Sequence, residues 1–229
     1  MTSKRYKLLP KDTKKFKAES INKLISTVKK NCTSKFDESI DINFQINVKQ
    51  KKGEVNLRTM VNLPGGTGKK IKVAVVCEDT KLDEAKKTSA DIVGSEDLIE
   101  KISLGKIDFD KLISTPAMMV SLSKLGKILG PKGLMPNPKL GSVTNDLKKA
   151  VSDTKSGQVE IKNDKDGNIG LSLGKKSFSD DKLLKNFNIV FETLEREKGN
   201  HKIKGDLIKN AFLTSTMGVS YKIKLPKNI

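Results

Sequence analysis

Few side chains in this sequence belong to the types that carry out covalent chemistry. His201 is the only histidine, and the two cysteines, Cys32 and Cys77, lie far apart along the chain. Catalytic triads and zinc sites need histidine or clustered cysteine, so neither kind of site is indicated. We expect both cysteines to pack as small apolar side chains and His201 to lie in a solvated loop. The sequence therefore predicts no catalytic residue, no metal site and no cofactor.

Two stretches resemble ligand-binding loops but lack residues that such loops require. In the segment Pro64–Lys70, Leu63 stands where a P-loop needs its first glycine, and the segment precedes a predicted strand where a P-loop would open a helix. The turn at Asp164 lacks the carboxylates of a calcium-binding loop, because Lys162 and Leu173 occupy two key positions. Neither stretch therefore predicts a nucleotide or calcium site.

Glycine-rich breaks instead predict two flexible connections. A run of glycines that follows a proline and precedes a strand is typical of a linker or hinge. A Ser-Gly pair marks a second break further along the chain. The predicted hinge residues are Pro64, Gly65, Gly66, Gly68, Ser156 and Gly157.

The charge balance indicates a polyanionic partner. The 229 residues include 45 Lys and Arg against 27 Asp and Glu, a formal net charge of +18. Such an excess adds self-repulsion to the folded state, so it favours binding to nucleic acid first and to an anionic membrane surface second. Almost all of the basic residues are lysines, which meet phosphate as point charges, and this favours recognition of nucleic-acid shape and backbone over base edges.

No targeting or membrane segment is predicted. The chain has no apolar stretch near the length of about 20 residues that a membrane helix needs. Its basic N-terminal segment lacks the apolar core of a signal peptide. We therefore expect a soluble, cytoplasmic protein without a membrane partner.

The two ends of the sequence share one type of pattern. Residues Ile21–Asn31 have helical apolar spacing, and Ile40–Val48 alternate apolar and polar residues as a half-buried strand does. A second strand is predicted at Val55–Leu63. Towards the other end we expect a hairpin of residues 159–162 and 169–173, a helix capped by Ser179 and two closing strands.

The middle of the chain follows a different pattern. Strand-like and helix-like segments alternate from residue 67 to 158, beginning with the apolar run Ile71–Cys77. This alternation is typical of an α/β unit with a largely parallel sheet, covered by helices on both faces. Ser95 and either Thr144 or Asn145 are the predicted helix caps. The middle holds 16 basic and 12 acidic residues, so most of the excess positive charge belongs to the two ends.

Two short segments at the ends could contact nucleic acid. Lys35 and Phe36 precede the alternating strand, where the aromatic ring could stack on an unpaired base while the lysine binds a phosphate. In the alternative interpretation, Phe36 closes the end of the preceding helix. Thr216, Met217 and Gly218 combine a hydroxyl, an apolar side chain and a glycine, which would let a sugar-phosphate backbone approach closely; the alternative is an ordinary turn.

The segment Lys124–Thr144, KLGKILGPKGLMPNPKLGSVT, is a shaped loop because its glycines and prolines interrupt regular structure. It is either a structural corner or a phosphate-binding nest. This segment resembles the diagnostic motif of the universal ribosomal protein L-one family, the stalk proteins of the large ribosomal subunit. The resemblance extends over nearly the whole chain, through SKFDESIDI, NLRTMVNLPGGTGK, ADIVGSEDL, SGQVEIKNDKDGNI and TSTMG.

The resemblance implies a fold and a set of RNA contacts. It implies a discontinuous α+β RNA-binding domain made of residues 1–66 and 159–229, with an inserted three-layer, Rossmann-like α/β domain at 67–158. It more weakly implies a contact at the Asp164 hairpin. Gly170 and Val219 depart from residues common in the family, which puts a contact at Gly170 in doubt. The RNA-binding residues that it implies are Lys35, Phe36, Ser39, Ser172, Thr216, Met217 and Gly218.

The resemblance also implies a function. A member of this family would be a non-catalytic protein, present as a single copy in the ribosome, that binds large-subunit rRNA at the mobile stalk. It would assist release of deacylated tRNA from the exit site and repress translation of its own operon by binding the mRNA. Two alternatives are a nucleotide-dependent enzyme of nucleic-acid metabolism, for which Lys132 would be the residue to test, and a non-specific nucleic-acid-compacting protein.

Overall fold

The computed structural model describes residues 19–47, 57–200 and 205–225, apart from the side chains of Lys139 and Asn200. The predicted loop position of His201 and the basic N-terminal segment lie outside these ranges. The contacts between Cα atoms divide the chain into two compact units. The first unit comprises residues 1–68 and 159–229, and the second comprises residues 69–158.

A four-stranded antiparallel sheet is the centre of the first unit. Its strands are β1 (Ser39–Ile46), β7 (Asn168–Lys175), β8 (Ile208–Ser215) and β9 (Tyr221–Lys222), in the spatial order β7-β1-β8-β9. The predicted alternation in β1 is confirmed, because Ile40, Ile42, Phe44 and Ile46 are buried while the residues between them are not. One face of the sheet therefore meets a core, and the other carries polar side chains.

Two helices cover the buried face of this sheet. Helix α1 (Ile21–Lys30) presents Leu24, Ile25 and Val28 to the core, as its helical spacing predicts. Helix α7 (Asp180–Asn200) contributes a second apolar stripe to the same core. The buried residues of this stripe are Leu183, Phe187, Val190 and Leu194.

The predicted hairpin near Asp164 is wrong in its pairing. Strand β6 (Gln158–Lys162) pairs with β2 (Arg58–Asn62) in a separate two-stranded sheet, whereas β7 pairs with β1. Only an isolated bridge joins Asn163 to Ile169 across the turn. The turn forms as predicted, but each strand buries its apolar residues against a more distant partner, which local sequence cannot indicate.

The second unit contains a parallel sheet with helices on both faces. Strand β3 (Val73–Val76) lies between β4 (Ile92–Gly94) and β5 (Lys111–Ser114), and both neighbours run parallel to it. Successive β3 residues enter two different apolar clusters, one with α3 (Glu96–Ser103) and one with α6 (Leu147–Lys155). The remaining helices are α2 (Leu82–Lys86), α4 (Met119–Ser123), α5 (Gly126–Leu129) and the short 3-10 turns Asp79–Lys81 and Pro138–Leu140.

The glycine- and proline-rich segment Lys124–Thr144 packs against this unit. Leu125 and Leu129 are buried in the cluster that includes α3, and α5 forms within the segment before the prolines begin. A methyl group on Gly130 would lie 2.6 Å from the Gly126 carbonyl oxygen, so a glycine is needed there for close packing. These contacts support the interpretation of the segment as a structural corner.

The helix caps differ from two of the predictions. Ser95 precedes α3 but makes no side-chain capping hydrogen bond. At α6 the cap is Asp146, whose carboxylate accepts a hydrogen bond from the Lys149 amide. The predicted Thr144 instead accepts a hydrogen bond from the Asp146 amide, which turns the chain into the helix.

Within the described parts of the chain, no helix is both long and apolar enough to cross a membrane.

Candidate nucleic-acid interface

The turn between α1 and β1 exposes the first pair of predicted RNA-binding residues. Lys35 is exposed, and the Phe36 side chain is 53% exposed although it is a large aromatic ring. This exposure excludes the alternative in which Phe36 closes the end of α1. Cys32 and Val28 are buried at that helix end instead. The turn therefore leaves an aromatic ring and a cation available to a partner.

The turn after β8 exposes the second set. The Gly218 amide donates to the Ser215 carbonyl at 3.1 Å, so residues Ser215–Gly218 form a tight turn with Met217 at its tip, 47% exposed. A methyl group on Gly218 would lie only 2.3 Å from the Ser215 hydroxyl oxygen. A β-carbon at this position would therefore displace the Ser215 hydroxyl, which favours glycine.

The fold joins these two turns, although they are far apart in sequence. The Ser39 amide donates to the Thr216 hydroxyl oxygen at 2.9 Å, and the Thr216 amide donates to the Ser39 carbonyl at 3.1 Å. The Lys175 ammonium group donates to the Ser39 hydroxyl at 2.8 Å. Lys35, Phe36, Ser39, Thr216, Met217 and Gly218 thus lie on adjoining segments at one end of the four-stranded sheet.

A buried carboxylate also connects the two turns. Glu38 is fully buried, and its two oxygens accept hydrogen bonds from the amides of Ser34 at 3.0 Å and Met217 at 3.2 Å. Burial alone would raise the pKa of Glu38, but hydrogen bonds from Ser215, Ser34 and Met217 outweigh it, so the pKa is lowered. The carboxylate is therefore ionised at neutral pH.

Ser172 lies on β7, in the sequence position that alternates with the buried residues Leu171 and Leu173. It pairs with Asp41 on β1, and Asp41 pairs in turn with Thr214 on β8. The structure therefore brings Ser172 onto a polar row across three strands, two residues along β1 from Ser39.

The Asp164 turn is at the opposite end of the sheet from Thr216. Its carboxylate accepts hydrogen bonds from the amides of Asp166 and Asn168, which close the turn. The Gly167 carbonyl accepts from Ile46, the last residue of β1. At roughly 3.3 Å per residue, the length of β1 separates this turn from Ser39 by about 23 Å. The Asp164 turn is thus not part of the cluster formed by the two turns.

The first predicted hinge segment is anchored to the first unit. Asn186 of α7 is fully buried and accepts a hydrogen bond from the Gly65 amide at 2.9 Å. It also donates to the carbonyls of Gly66 at 3.2 Å and Leu173 at 2.7 Å. A methyl group on Gly68 would lie 2.7 Å from the Lys175 side chain, so this residue is closely packed as well.

The second predicted hinge segment follows α6. The Ser156 amide donates to the Ser152 carbonyl at 2.8 Å, and Gly157 has a positive φ of 108° that ends the helix. Pro64, Gly65, Gly66, Gly68, Ser156 and Gly157 therefore lie at the two crossings between the units, and at the first crossing the glycines before Lys69 are held in place.

The two cysteines pack as predicted. Cys32 and Cys77 are free thiols, buried in different apolar clusters. Burial raises the pKa of each thiol, so both remain protonated at neutral pH. Among the described residues, no group of three or more His, Cys, Asp or Glu side chains could hold a metal ion.

The residues that position the exposed ones are not indicated by the sequence pattern. Glu38, Ser215 and Asn186 are buried polar residues with several hydrogen bonds each, and none of them was singled out. Glu38 and Asn186 each have a partner from a distant part of the chain, Met217 and Gly65 respectively, and spacing within the sequence could not indicate these contacts. The only local signal is that Glu38 and Ser215 directly adjoin the predicted contact residues.

Comparison with known proteins identifies the family of the chain. The chain is 70% identical, over the full 229 residues of both proteins, to the large ribosomal subunit protein uL1 of Pelagibacter ubique (strain HTCC1062). It is 45% identical over 223 residues to the uL1 proteins of Orientia tsutsugamushi (strain Ikeda) and Mycoplasma capricolum, covering 97% of this chain and 89% and 98% of theirs. The model of the ribosomal protein L1p/L10e family matches residues 28–219, which include both exposed turns, and the chain belongs to that family.

Proposed function

We propose that this protein is a non-catalytic component of the large ribosomal subunit that binds folded rRNA through the turns at Lys35–Phe36 and Thr216–Gly218. The main support for the proposal is that hydrogen bonds through Ser39, Thr216 and Glu38 join these two turns. Phe36 and Met217 are therefore both exposed at the same end of the sheet. The names and identities of its relatives support the same role.

The chemistry of this surface suits structured RNA. An exposed aromatic ring and an exposed thioether side chain offer stacking and apolar cover to unpaired bases, which RNA displays in loops and bulges. The net charge of +18 supplies sequence-independent attraction to phosphates through release of counterions. Specific recognition would then come from the two turns, and general affinity from the lysines.

The experiment compares three alanine variants at matched salt. Phe36→Ala and Met217→Ala should each weaken binding to transcribed large-subunit rRNA, and for Phe36→Ala we expect a loss of about 1–3 kcal/mol, the usual value of base stacking on an aromatic ring. Leu104→Ala is the matched control, because Leu104 is a 75% exposed large apolar residue in the second unit. Neither Phe36→Ala nor Met217→Ala should lower the melting temperature appreciably, because both residues are exposed and neither belongs to the buried core.

Competition between rRNA and duplex DNA separates this function from general compaction of nucleic acid. We expect duplex DNA to compete poorly at the same salt concentration. Equal competition by both nucleic acids, with no effect of Phe36→Ala, would contradict the proposal. Nucleotide hydrolysis that is lost in Lys132→Ala would favour an enzyme instead.

The proposal extends to the domain organisation. Residues 1–66 with 159–229 would form the RNA-binding domain, and residues 67–158 an inserted domain that reorients on two short connections. Because Asn186 holds Gly65 and Gly66, bending at the first crossing would occur after Gly68. Distances between fluorophores on the two units should differ between free and rRNA-bound protein. One unchanged distance in both states would contradict the hinge.

Two further partners follow from the same role. We propose that the protein, as a single copy in the cytoplasmic ribosome, assists release of deacylated tRNA from the exit site. We also propose that it represses its own operon by binding an mRNA segment that resembles the rRNA site. Since the rRNA and the mRNA segment would bind the same surface, unlabelled rRNA should displace the mRNA segment. Met217→Ala should weaken binding to both of these RNAs.

A further inference from the structure

A fully buried carboxylate lies directly behind the proposed RNA surface. One Glu38 oxygen accepts the Ser34 amide at 3.0 Å, and the other accepts the Met217 amide at 3.2 Å. The Ser215 hydroxyl hydrogen-bonds to the same carboxylate. The two amide contacts join segments 179 residues apart, measured from Glu38 to Met217.

The Glu38 carboxylate is negative, whereas binding to RNA phosphates favours positive charge. A negative charge near an RNA surface repels phosphate, and burying it costs free energy unless hydrogen bonds replace its lost hydration. The sequence places Glu38 between Asp37 and Ser39, where a neutral residue would avoid both costs. A physical benefit must therefore offset them.

The contacts identify that benefit. Each of the two turns ends in an exposed side chain, Phe36 or Met217, but neither turn is held by regular strand pairing at its tip. The carboxylate holds one backbone amide from each turn, with one oxygen for each. Ionised carboxylates form stronger hydrogen bonds with amides than neutral acceptors do.

We propose that Glu38 is a positioning residue for RNA binding: its ionised carboxylate fixes the Phe36 turn relative to the Met217 turn, so that removing the negative charge weakens rRNA binding. This inference depends on the proposed function, because it assumes that these two turns contact the RNA. It assigns the opposite sign of effect from the one that simple electrostatic repulsion predicts.

Glu38→Gln is the decisive variant because it keeps the size of the side chain. Its amide group retains one acceptor oxygen, but its NH₂ group would face a backbone N–H at the other turn, and that contact would be lost. We expect the dissociation constant for transcribed large-subunit rRNA to rise by about tenfold to a hundredfold, the usual effect of losing a hydrogen bond to a charged group. The slope of log affinity against log salt should not change, because no phosphate contact is removed.

Asp37→Asn is the matched control. Asp37 is the neighbouring carboxylate, but it is exposed, and it accepts hydrogen bonds from the Ser177 amide and hydroxyl outside the two turns. Its neutralisation should leave rRNA affinity unchanged or raise it slightly, because an asparagine oxygen can still accept from the Ser177 amide while its NH₂ group donates to the Ser177 hydroxyl. If Glu38→Gln binds as tightly as Asp37→Asn does, the charge has no positioning role and the inference is overturned.

A second measurement distinguishes positioning from simple loss of folding. Stoichiometric titration gives the fraction of molecules able to bind, and a variant that only unfolds would lower this fraction while the remaining molecules keep the original dissociation constant. We expect a full active fraction with a raised dissociation constant, and a joint change in the amide NMR signals of Ser34 and Met217. A lowered active fraction with unchanged affinity would refute the positioning role.

A further variant applies if Glu38→Gln fails to fold. Ser215→Ala removes one hydrogen bond to the carboxylate without changing the net charge, and it should weaken rRNA binding in the folded protein. Unchanged affinity in Ser215→Ala would then overturn the inference. The failure of the proposed function has a different signature, since Phe36→Ala and Met217→Ala would both bind normally.

Discussion

At the scale of single residues, the candidate site depends on how closely atoms pack behind the exposed side chains. Gly218 lies so close to Ser215 that no β-carbon fits between them. Ser215 is itself held by the Glu38 carboxylate, so it cannot turn away without losing that contact. The glycine of the TSTMG motif thus has a packing explanation that is independent of any RNA contact.

This packing predicts coupling between two substitutions. Gly218→Ala should lower the free energy of unfolding by about 1–3 kcal/mol, as overpacked sites generally do, and should weaken rRNA binding. Ser215→Ala removes the oxygen that the new methyl group meets at 2.3 Å. The double variant should therefore lose less stability than the sum of the two single variants, measured by urea denaturation.

A control glycine is available in α7. A methyl group on Gly199 would meet no atom within 4 Å from the described residues outside its own helical turn, so Gly199→Ala should be neutral or stabilising because alanine favours the helix. If the Gly218 and Ser215 effects were additive, the steric explanation would be wrong.

At the scale of elements, the sequence predicts what depends on local pattern and misses what depends on distant partners. Helix α1, the alternating strand β1 and the buried strand β3 all form where their apolar spacing predicts them. The pairing of β6 with β2 is different, because two strands joined by a good turn signal can still pair with strands from distant parts of the chain, which local pattern does not indicate.

The candidate site also contains residues that the sequence predicts and residues that it does not. Lys35, Phe36 and the Thr216 turn are recognisable from residue type and from family resemblance. Glu38 and Asn186 are not, because a buried polar side chain is defined by the donors and acceptors around it, and each of these two has a partner from a distant part of the chain. Residues that hold a site in place are therefore harder to predict than residues that are exposed in it.

Asn186 of α7 should stabilise the first unit through its buried hydrogen bonds. Asn186→Ala would leave the Gly65 amide and the Leu173 carbonyl without their partner, so we expect the free energy of unfolding to fall by about 2–3 kcal/mol. Asn188→Ala is the control, since Asn188 is an exposed residue of the same helix. Equal stability of the two variants in urea denaturation would show that the Asn186 hydrogen bonds contribute little.

At the scale of the whole molecule, the chain consists of two compact units with separate cores. The first contains an open antiparallel sheet with helices on one face, and the second a parallel sheet covered on both. Most of the net positive charge belongs to the sequence of the first unit, which also holds both proposed RNA-contacting turns. This division supports the proposal that RNA binding belongs to the discontinuous part of the chain.

Excision of the second unit tests that proposal. A variant in which a short Gly/Ser linker joins Gly68 to Val159 should unfold in a single cooperative transition and retain the rRNA affinity of the full chain. All of the proposed contact residues remain in this variant. A folded variant that fails to bind the rRNA would contradict the assignment of RNA binding to the first unit.

The position of β1 in its sheet has a consequence for biosynthesis. This strand lies between β7 and β8, so both of its hydrogen-bonding neighbours are translated more than 120 residues after it begins. By then every residue of the second unit has been made, and its three strands need partners only from within residues 69–158. The second unit can therefore fold first during translation. Strand β1 remains without its neighbours until β7 and β8 have been synthesised.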